Sequence, residues 1–452
     1  MPWARMGNEA TNMDVRWRRE ARPKVRVLWR WRAWALVTLV AVIGIVSTDT
    51  YDSGPAAASH APARRIAASL ELPAHFTRAA RLTLDDLANR YIARMTPDEK
   101  LGQLFLADLT GDSYDASTAA MVEQMHAGGI ILYARSIVTT AQTRALVNAA
   151  QAHAALPLFV ATDEEGGYVD RMQSIYGFRP SASQIGATGS RAFALSEGAR
   201  VGRDMSSIGL NFDFGPDLDV QLVDGPDQST RTYGSSPAAV TTLGGAYLTG
   251  MQNNGVLACP KHFPGLGAAT SDAHLGLPLI TRTRAQIEAV ELAPYRDLLA
   301  TGQVQAVMTT DLLMPALDPK MPAELSPAII TDVLRDELGF GGVVVTDALY
   351  MDGVAARYGM PEAGVLSIVA GNDLLVGPWT AEQMGAMMQA LRDAIHSGRI
   401  TMARIDQSVR RILVLKMRMG LIAVPLTLTI PVPPLGSMTT MDGPASAVRL
   451  AG

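Results

Sequence analysis

The chain has 452 residues and a single cysteine, Cys259, so no internal disulfide can form. That thiol lies in the apolar run Gly255–Pro260, which makes it a buried structural residue. The net charge of −4 argues against a general nucleic-acid binder. Neither His-x-His nor His-Glu-x-x-His occurs among the seven histidines, so the short motifs that pre-assemble zinc ligands are missing. No Gly-rich dinucleotide loop stands out: Gly265-Leu266-Gly267 is not followed by an obvious helix start. The N-terminal apolar run, Ala33 to Val46, falls short of a comfortable membrane span.

That run nevertheless carries information. Residues 1–32 form a basic segment with Arg16, Arg18, Arg19, Arg22, Lys24, Arg26, Arg30 and Arg32, and the apolar stretch follows at once. A short apolar core behind a basic flank suits a signal peptide, with residues 33–47 as its core, or a signal anchor with its basic end inside. Either places the bulk of the chain outside the cytoplasmic membrane, with membrane contact only through this segment. No cysteine follows, which excludes a bacterial lipid anchor at that point. Residues 48–80, rich in Ala and Pro, are a linker, and 424–452 form a Pro-rich tail.

The interval 81–423 is expected to be one α/β domain. Apolar runs recur at Leu104–Ala107, Gly129–Tyr133, Leu158–Thr162, Leu210–Phe214, Val256–Cys259, Gln305–Thr309, Gly342–Thr346 and Asp373–Val376. Eight such runs alternating with helical patterns predict a single (β/α)8 barrel, with an open doubly wound sheet as the alternative. The spacing predicts helices from Asp85 to Arg94, from Pro97 behind an N-capping Thr96, from Ala381 to about Ser397, and from Met402 to Met419. Nearly every run ends in polar residues: Asp108, Asp163, Asp217 and Asp219, Lys261 and His262, Asp311, Asp347. Barrel active sites lie at the C-terminal strand ends, so one rim is marked as chemical.

Two places on that rim are chemically suggestive. After the run Gly255–Pro260 come Lys261-His262-Phe263-Pro264-Gly265-Leu266-Gly267 and then Asp272-Ala273-His274. A carboxylate two residues from an imidazole can fix its tautomer and support its charged form, giving an acid/base dyad. Asp272 could equally be a turn residue. Gly341–Thr346 ends in Asp347, a candidate nucleophile, stabiliser or ligand, or simply the N-cap of a helix opening at Ala348. Glu164 and Glu165 are adjacent and could form an independent acid pair, although neighbouring side chains normally point apart.

Taken together, Lys-His-Phe-Pro-Gly-x-Gly with Asp-x-His, Gly-Phe-x-Gly-Val-Val-x-Thr-Asp-x-Leu-x-Met over 339–351 and Asp163-Glu164-Glu165-Gly166-Gly167 resemble family 3 glycoside hydrolases, in the branch of bacterial β-N-acetylhexosaminidases. The resemblance runs from about Leu82 to Leu421. It implies Asp347 as nucleophile, His274 as acid/base and Asp272 as the residue that orients His274. It carries substrate binding onto Asp163, Arg171, Arg231, Lys261 and His262. Departures are Ala348 where a second Asp is frequent, Leu266 and Asp311 where His is common, and Tyr168 where Arg is frequent. Larger family members take the acid/base from an added C-terminal domain. This chain has no room for one, so the acid must come from the barrel.

What the resemblance implies is a retaining exo-β-N-acetylglucosaminidase needing no metal or other cofactor. The expected substrate is a GlcNAc-containing oligosaccharide or muropeptide, and the expected state is an extracytoplasmic monomer. Alternatives on the same scaffold are a phosphorylase, a β-glucosidase, substrate-assisted catalysis through the acetamido group, a metal-dependent hydrolase using His262, His274 and Asp347, and a non-catalytic glycan-binding barrel.

Overall fold

Short runs of β-branched and aliphatic residues, of which Val343-Val344-Val345 is the purest, can be buried on both faces only in a parallel sheet covered by helices. The computed structural model describes residues 82–424 apart from 227 and 228, all within the unit Ala61–Gly452. The expected basic segment, signal-type core and linker, and the tail beyond Val424, lie outside the described residues.

The strands are β1 (Phe105–Leu109), β2 (Gly129–Leu132), β3 (Phe159–Thr162), β4 (Glu164–Gly166), β5 (Val169–Asp170), β6 (Phe212–Asp213), β7 (Leu257–Ala258), β8 (Ala306–Met308), β9 (Val343–Ala348) and β10 (Leu374–Val376). Eight form one parallel sheet in the order β7-β6-β3-β2-β1-β10-β9-β8. The seam between β7 and β8 is joined just beyond β7. Met308 N donates to Pro260 O at 3.0 Å, Phe263 N donates to Met308 O at 2.8 Å, and Phe263 pairs in parallel with Thr309. The eight predicted runs are therefore the eight staves of a barrel, and the open-sheet alternative fails.

Between β3 and β6 the chain inserts the antiparallel hairpin β4–β5, which the apolar pattern did not announce. The predicted helices appear at Leu84–Ile92, Pro97–Gly102, Ala381–His396 and Met402–Arg418. Their starts are chemically set. Thr83 with Asp86 and Thr96 with Glu99 form reciprocal capping boxes, and Thr380 and Thr401 cap the last two helices.

The core is continuous through the barrel wall. Phe159, Phe212 and Phe214 stack edge to face with centroids 5.3 and 5.2 Å apart, tying β3 to β6. At the opposite end from the chemical rim, Asp373 at the start of β10 takes Arg335 at 2.7 Å, Arg411 at 3.0 Å and the Ser408 hydroxyl at 2.6 Å. Among the described residues, no helix is long and apolar enough to cross a membrane.

Candidate active site

At the C-terminal ends of the strands lies a cavity of about 630 Å³. Every residue to which the family resemblance gives a role, except Asp272, lines it: Asp163, Arg171, Arg231, Lys261, His262, His274 and Asp347. Asp272 sits directly behind His274.

The loop that follows β7 is held by close backbone approach. A Cβ on Gly267 would fall 1.9 Å from Val220 O, so only glycine lets this loop lie against residues 217–220. The contact is sealed by Leu266 N donating to Asp219 Oδ1 at 2.6 Å and Leu222 N donating to Gly267 O at 2.8 Å. It brings His262 Nδ1 to 2.7 Å from Asp219 Oδ2. Arg231 Nη2 lies 3.2 Å from His262 Nε2. A guanidinium can only donate, so Nε2 accepts and Nδ1–H donates to Asp219. Asp217, Asp219 and His262 place three ligand-type side chains within 4.8 Å of one another. With both ring nitrogens engaged, the imidazole has no lone pair to offer an ion. This also weakens the metal-hydrolase alternative that would use His262.

Glu165, on β4, organises the cationic side of the pocket. Its carboxylate takes Arg231 through two bonds of 2.8 Å and Lys261 Nζ at 2.7 Å, while Asp163 takes the same Nζ at 2.6 Å. Burial alone would raise the Glu165 carboxyl, but the charges of Arg231 and Lys261 outweigh it and hold it well below the usual carboxylate range. The same carboxylates, against the opposing effect of burial, push the Lys261 ammonium above its usual range. Glu164 turns the other way, with Oε1 on Arg179 Nε at 3.1 Å and Oε2 accepting from Met172 N at 3.0 Å. The adjacent glutamates are therefore not an acid pair. Arg231 is a partly buried, doubly paired group and not a free surface arginine. Arg171 lies with its guanidinium 5.4 Å from the Tyr133 ring centre.

Across the pocket, His274 rides on the stretch after Gly267. That stretch is pinned by Ile280 N to Leu313 O at 2.9 Å and Leu313 N to Pro278 O at 2.8 Å. Asp272 Oδ1 accepts both the His274 backbone N–H at 2.8 Å and ring Nδ1–H at 2.7 Å. The carboxylate can only accept, so Nδ1 carries its proton and Nε2 is left to exchange one. The His274 side chain is 59% exposed. Asp272 is thus both the turn residue and the imidazole's partner; the two readings were not exclusive.

Asp347 lies inside β9, and the next helix opens only at Asp352 with Met351 at its N-cap. The N-cap reading of Asp347 is therefore incorrect. Its carboxylate accepts from Ala348 N at 2.8 Å and from the Thr310 hydroxyl at 3.0 Å, and it faces the cavity. These two hydrogen bonds fix the orientation of the carboxylate at the cavity wall.

The sequence reading did not single out Glu324; it took Glu165 only as half of a possible acid pair and Asp217 and Asp219 only as polar strand ends, and so missed Glu165 as the partner of Arg231 and Lys261 and Asp219 as the partner of His262. Their signal was indirect: acidic residues at barrel strand ends, too apolar in setting to be solvated and therefore in need of cationic or N–H partners.

Residues 96–415 match the glycosyl hydrolase family 3 N-terminal domain. The chain is 31% identical over 369 residues to β-hexosaminidase A of Pseudoalteromonas piscicida, covering 72% of this chain and 62% of that protein. It is 34% identical to β-hexosaminidase LpqI of Mycobacterium tuberculosis, over 72% of this chain and 84% of that one. Among solved structures, a glycoside hydrolase family 3 β-N-acetylglucosaminidase from Paenibacillus sp. superposes with a TM-score of 0.71 at 37% identity, covering 73% of this chain and 64% of that one.

Proposed function

Because the chain belongs to glycoside hydrolase family 3 through its barrel domain, we propose that it is a retaining exo-β-N-acetylglucosaminidase. The observation that carries this reading is that His274, held from behind by Asp272, and Asp347 border one cavity whose wall also bears Asp163, Arg171, Arg231, Lys261 and His262. The relatives named as β-hexosaminidases and β-N-acetylglucosaminidase support the choice of sugar.

In the first step an Asp347 oxygen attacks the anomeric carbon. The glycosidic C–O bond breaks, and His274 Nε2–H protonates the departing oxygen. A glycosyl ester on Asp347 results. In the second step His274 takes a proton from water, the water oxygen bonds to the anomeric carbon, and Asp347 departs as a carboxylate. Two inversions give net retention. Asp272 holds the imidazole tautomer and supports the imidazolium. The anionic Asp163 and the Lys261 and His262 side chains are the groups that hold sugar hydroxyls, and Arg171 and Arg231 add donors. The substrates are GlcNAc-terminated fragments of cell-wall peptidoglycan, met outside the cytoplasmic membrane by a monomeric enzyme.

Hydrolysis of the nitrophenyl β-glycosides of GlcNAc and of glucose, beside an Asp347→Ala control, tests the reading. Turnover of the GlcNAc glycoside that the substitution abolishes is expected. A folded protein that turns over neither sugar, or only when phosphate is added, overturns hydrolysis as the reaction.

A further inference from the structure

Beneath Asp347 lie two carboxyl groups that this chemistry leaves unused. Asp311 follows β8 and Glu324 sits on the turn Ala323–Leu325; both are 0% exposed. Glu324 Oε2 accepts the backbone N–H of Asp347 at 3.1 Å. Among the described residues, neither Asp311 oxygen nor Glu324 Oε1 receives a well-formed hydrogen bond from an N–H or O–H donor. The Val354 N–H approaches Asp311 but is already donated to Met351 O at 3.2 Å. Helix Asp352–Tyr358 closes over the pair so tightly that a Cβ on Gly353 would fall 2.7 Å from Asp311 Oδ2. The two carboxyls lie within hydrogen-bonding reach of each other. Two carboxylates cannot bond without a proton, and two bare charges at this depth beside Asp347 would repel strongly.

We propose that Asp311 and Glu324 are positioning residues that share a proton, Glu324 seating Asp347 through its backbone N–H while the Asp311 carboxylate helps His274 keep its own proton. The proposal rests on Asp347 and His274 being the catalytic groups. The charged groups around His274 are Asp272 on its own loop, Asp347 from β9, Asp311 after β8, Asp352 at the start of the covering helix, whose backbone N–H donates to His274 O at 3.4 Å, and Arg135, Asp163, Glu165, Arg171, Arg231 and Lys261 elsewhere in the cavity wall. Asp311 is the member of the pair that titrates in the useful range: burial raises it to about 7, against opposing effects of the Glu324 hydrogen bond and the His274 charge. Burial, then Asp311, pushes Glu324 well higher, so Glu324 keeps the proton. Electrostatic coupling is reciprocal. If protonated His274 favours ionised Asp311, ionised Asp311 favours protonated His274 and prolongs its service as an acid toward alkaline pH.

The test is kcat/KM against pH on the full-length chain, with an alkyl β-N-acetylglucosaminide whose leaving group needs protonation. Asp311→Asn is expected to move the alkaline limb toward acid by roughly 0.5–1 pH unit, the scale of one partly screened charge. Glu324→Gln keeps that limb in place because Asp311 retains its charge. Glu324→Ala lowers kcat with little change in KM, and Gln restores it. Asp311→Ser provides the same pH test if the Asn variant melts as an unfolded chain. Coincident alkaline limbs for wild type and the Asp311 variants overturn the proposal. A fluorinated GlcNAc donor separates the two levels. If a sugar is trapped on wild-type Asp347 while the limbs coincide, the pair is refuted and the nucleophile stands; if no sugar is trapped, the nucleophile reading itself fails.

Discussion

Lys261 Nζ lies 2.7 Å from Glu165 Oε1, with both side chains no more than 3% exposed. The pair is a bridge, because the same carboxylate also grips Arg231. One buried anion therefore places two of the cations of the cavity wall. Breaking such a pair from one side leaves an uncompensated buried charge and costs about 3–5 kcal/mol. Glu165→Gln should lower the melting temperature at neutral pH and raise KM by at least tenfold. The Glu165 carboxyl is held low in the folded state, so its contribution is complete above the unfolded pKa of about 4.3 and is lost only as pH falls through the lower folded value. Melting curves of both proteins from pH 7 down to pH 3 should stay a constant distance apart above about pH 4.3 and begin to draw together below it; curves that stay parallel throughout would argue against the bridge.

His274 as the acid predicts a leaving-group effect. His274→Ala should depress kcat/KM by about 10²–10⁴-fold on alkyl glycosides, and far less on nitrophenyl glycosides, whose phenolate needs little help. Asp272→Asn should show the same ordering with a smaller loss, since the imidazole survives but its tautomer is no longer fixed. Equal losses on both substrate types would remove the proton-donor role.

Tyr168, 86% exposed on the turn of the β4–β5 hairpin, borders the cavity mouth. A sugar ring beyond the scissile bond would cover this face and remove apolar area from water. Burial worth about 1 kcal/mol corresponds to roughly fivefold in affinity. Tyr168→Ala should raise KM for a GlcNAc disaccharide by about that factor and leave the methyl glycoside of GlcNAc unaffected. A rise of equal size with both substrates would assign Tyr168 to the terminal sugar.

The barrel was legible because parallel strands buried on both faces must be continuous apolar runs, and because the rim marks each run's end with charge. Gly129–Tyr133 was expected and Gly129–Leu132 observed; the other staves differ by similarly small margins. Helices with side-chain caps, such as those behind Thr96 and Thr401, began where their caps said. The β4–β5 hairpin was not legible: its two strands total five residues and carry charges where strands favour apolar groups, and its carboxylates find their partners outside the hairpin, in Arg179, Arg231 and Lys261. The dyad Asp272–His274 was visible because its partners are two residues apart. The dyad Asp219–His262 was not, because 43 residues separate its members and they meet through the parallel pairing of Asp217 with Lys261 and the close approach at Gly267. The Asp311–Glu324 pair is a contact between separate loops under β9, which no local pattern encodes.

Lys416 gives the sharpest stability test, because it lies outside the site. It is 0% exposed on the last helix, donates to Gln103 Oε1 at 2.9 Å, and sits 5.1 Å from the Phe159 ring centre. Burial lowers its ammonium to about 7. Between that value and the unfolded pKa of about 10.4, the unfolded chain binds a proton that the folded chain does not. Stability therefore rises with pH across this window, and the penalty of the buried charge, on the order of a few kcal/mol, is fully present below pH 7. Lys416→Met keeps the unbranched volume but leaves Gln103 Oε1 without its donor, a pH-independent cost of about 1–3 kcal/mol. The stability of Lys416→Met minus that of wild type, from urea unfolding, should thus be most favourable to the variant near pH 6 and fall steadily toward pH 9.5. A difference that does not change with pH would mean the ammonium is solvated in the folded state and that the helix Met402–Arg418 packs less closely on the barrel than its buried face indicates.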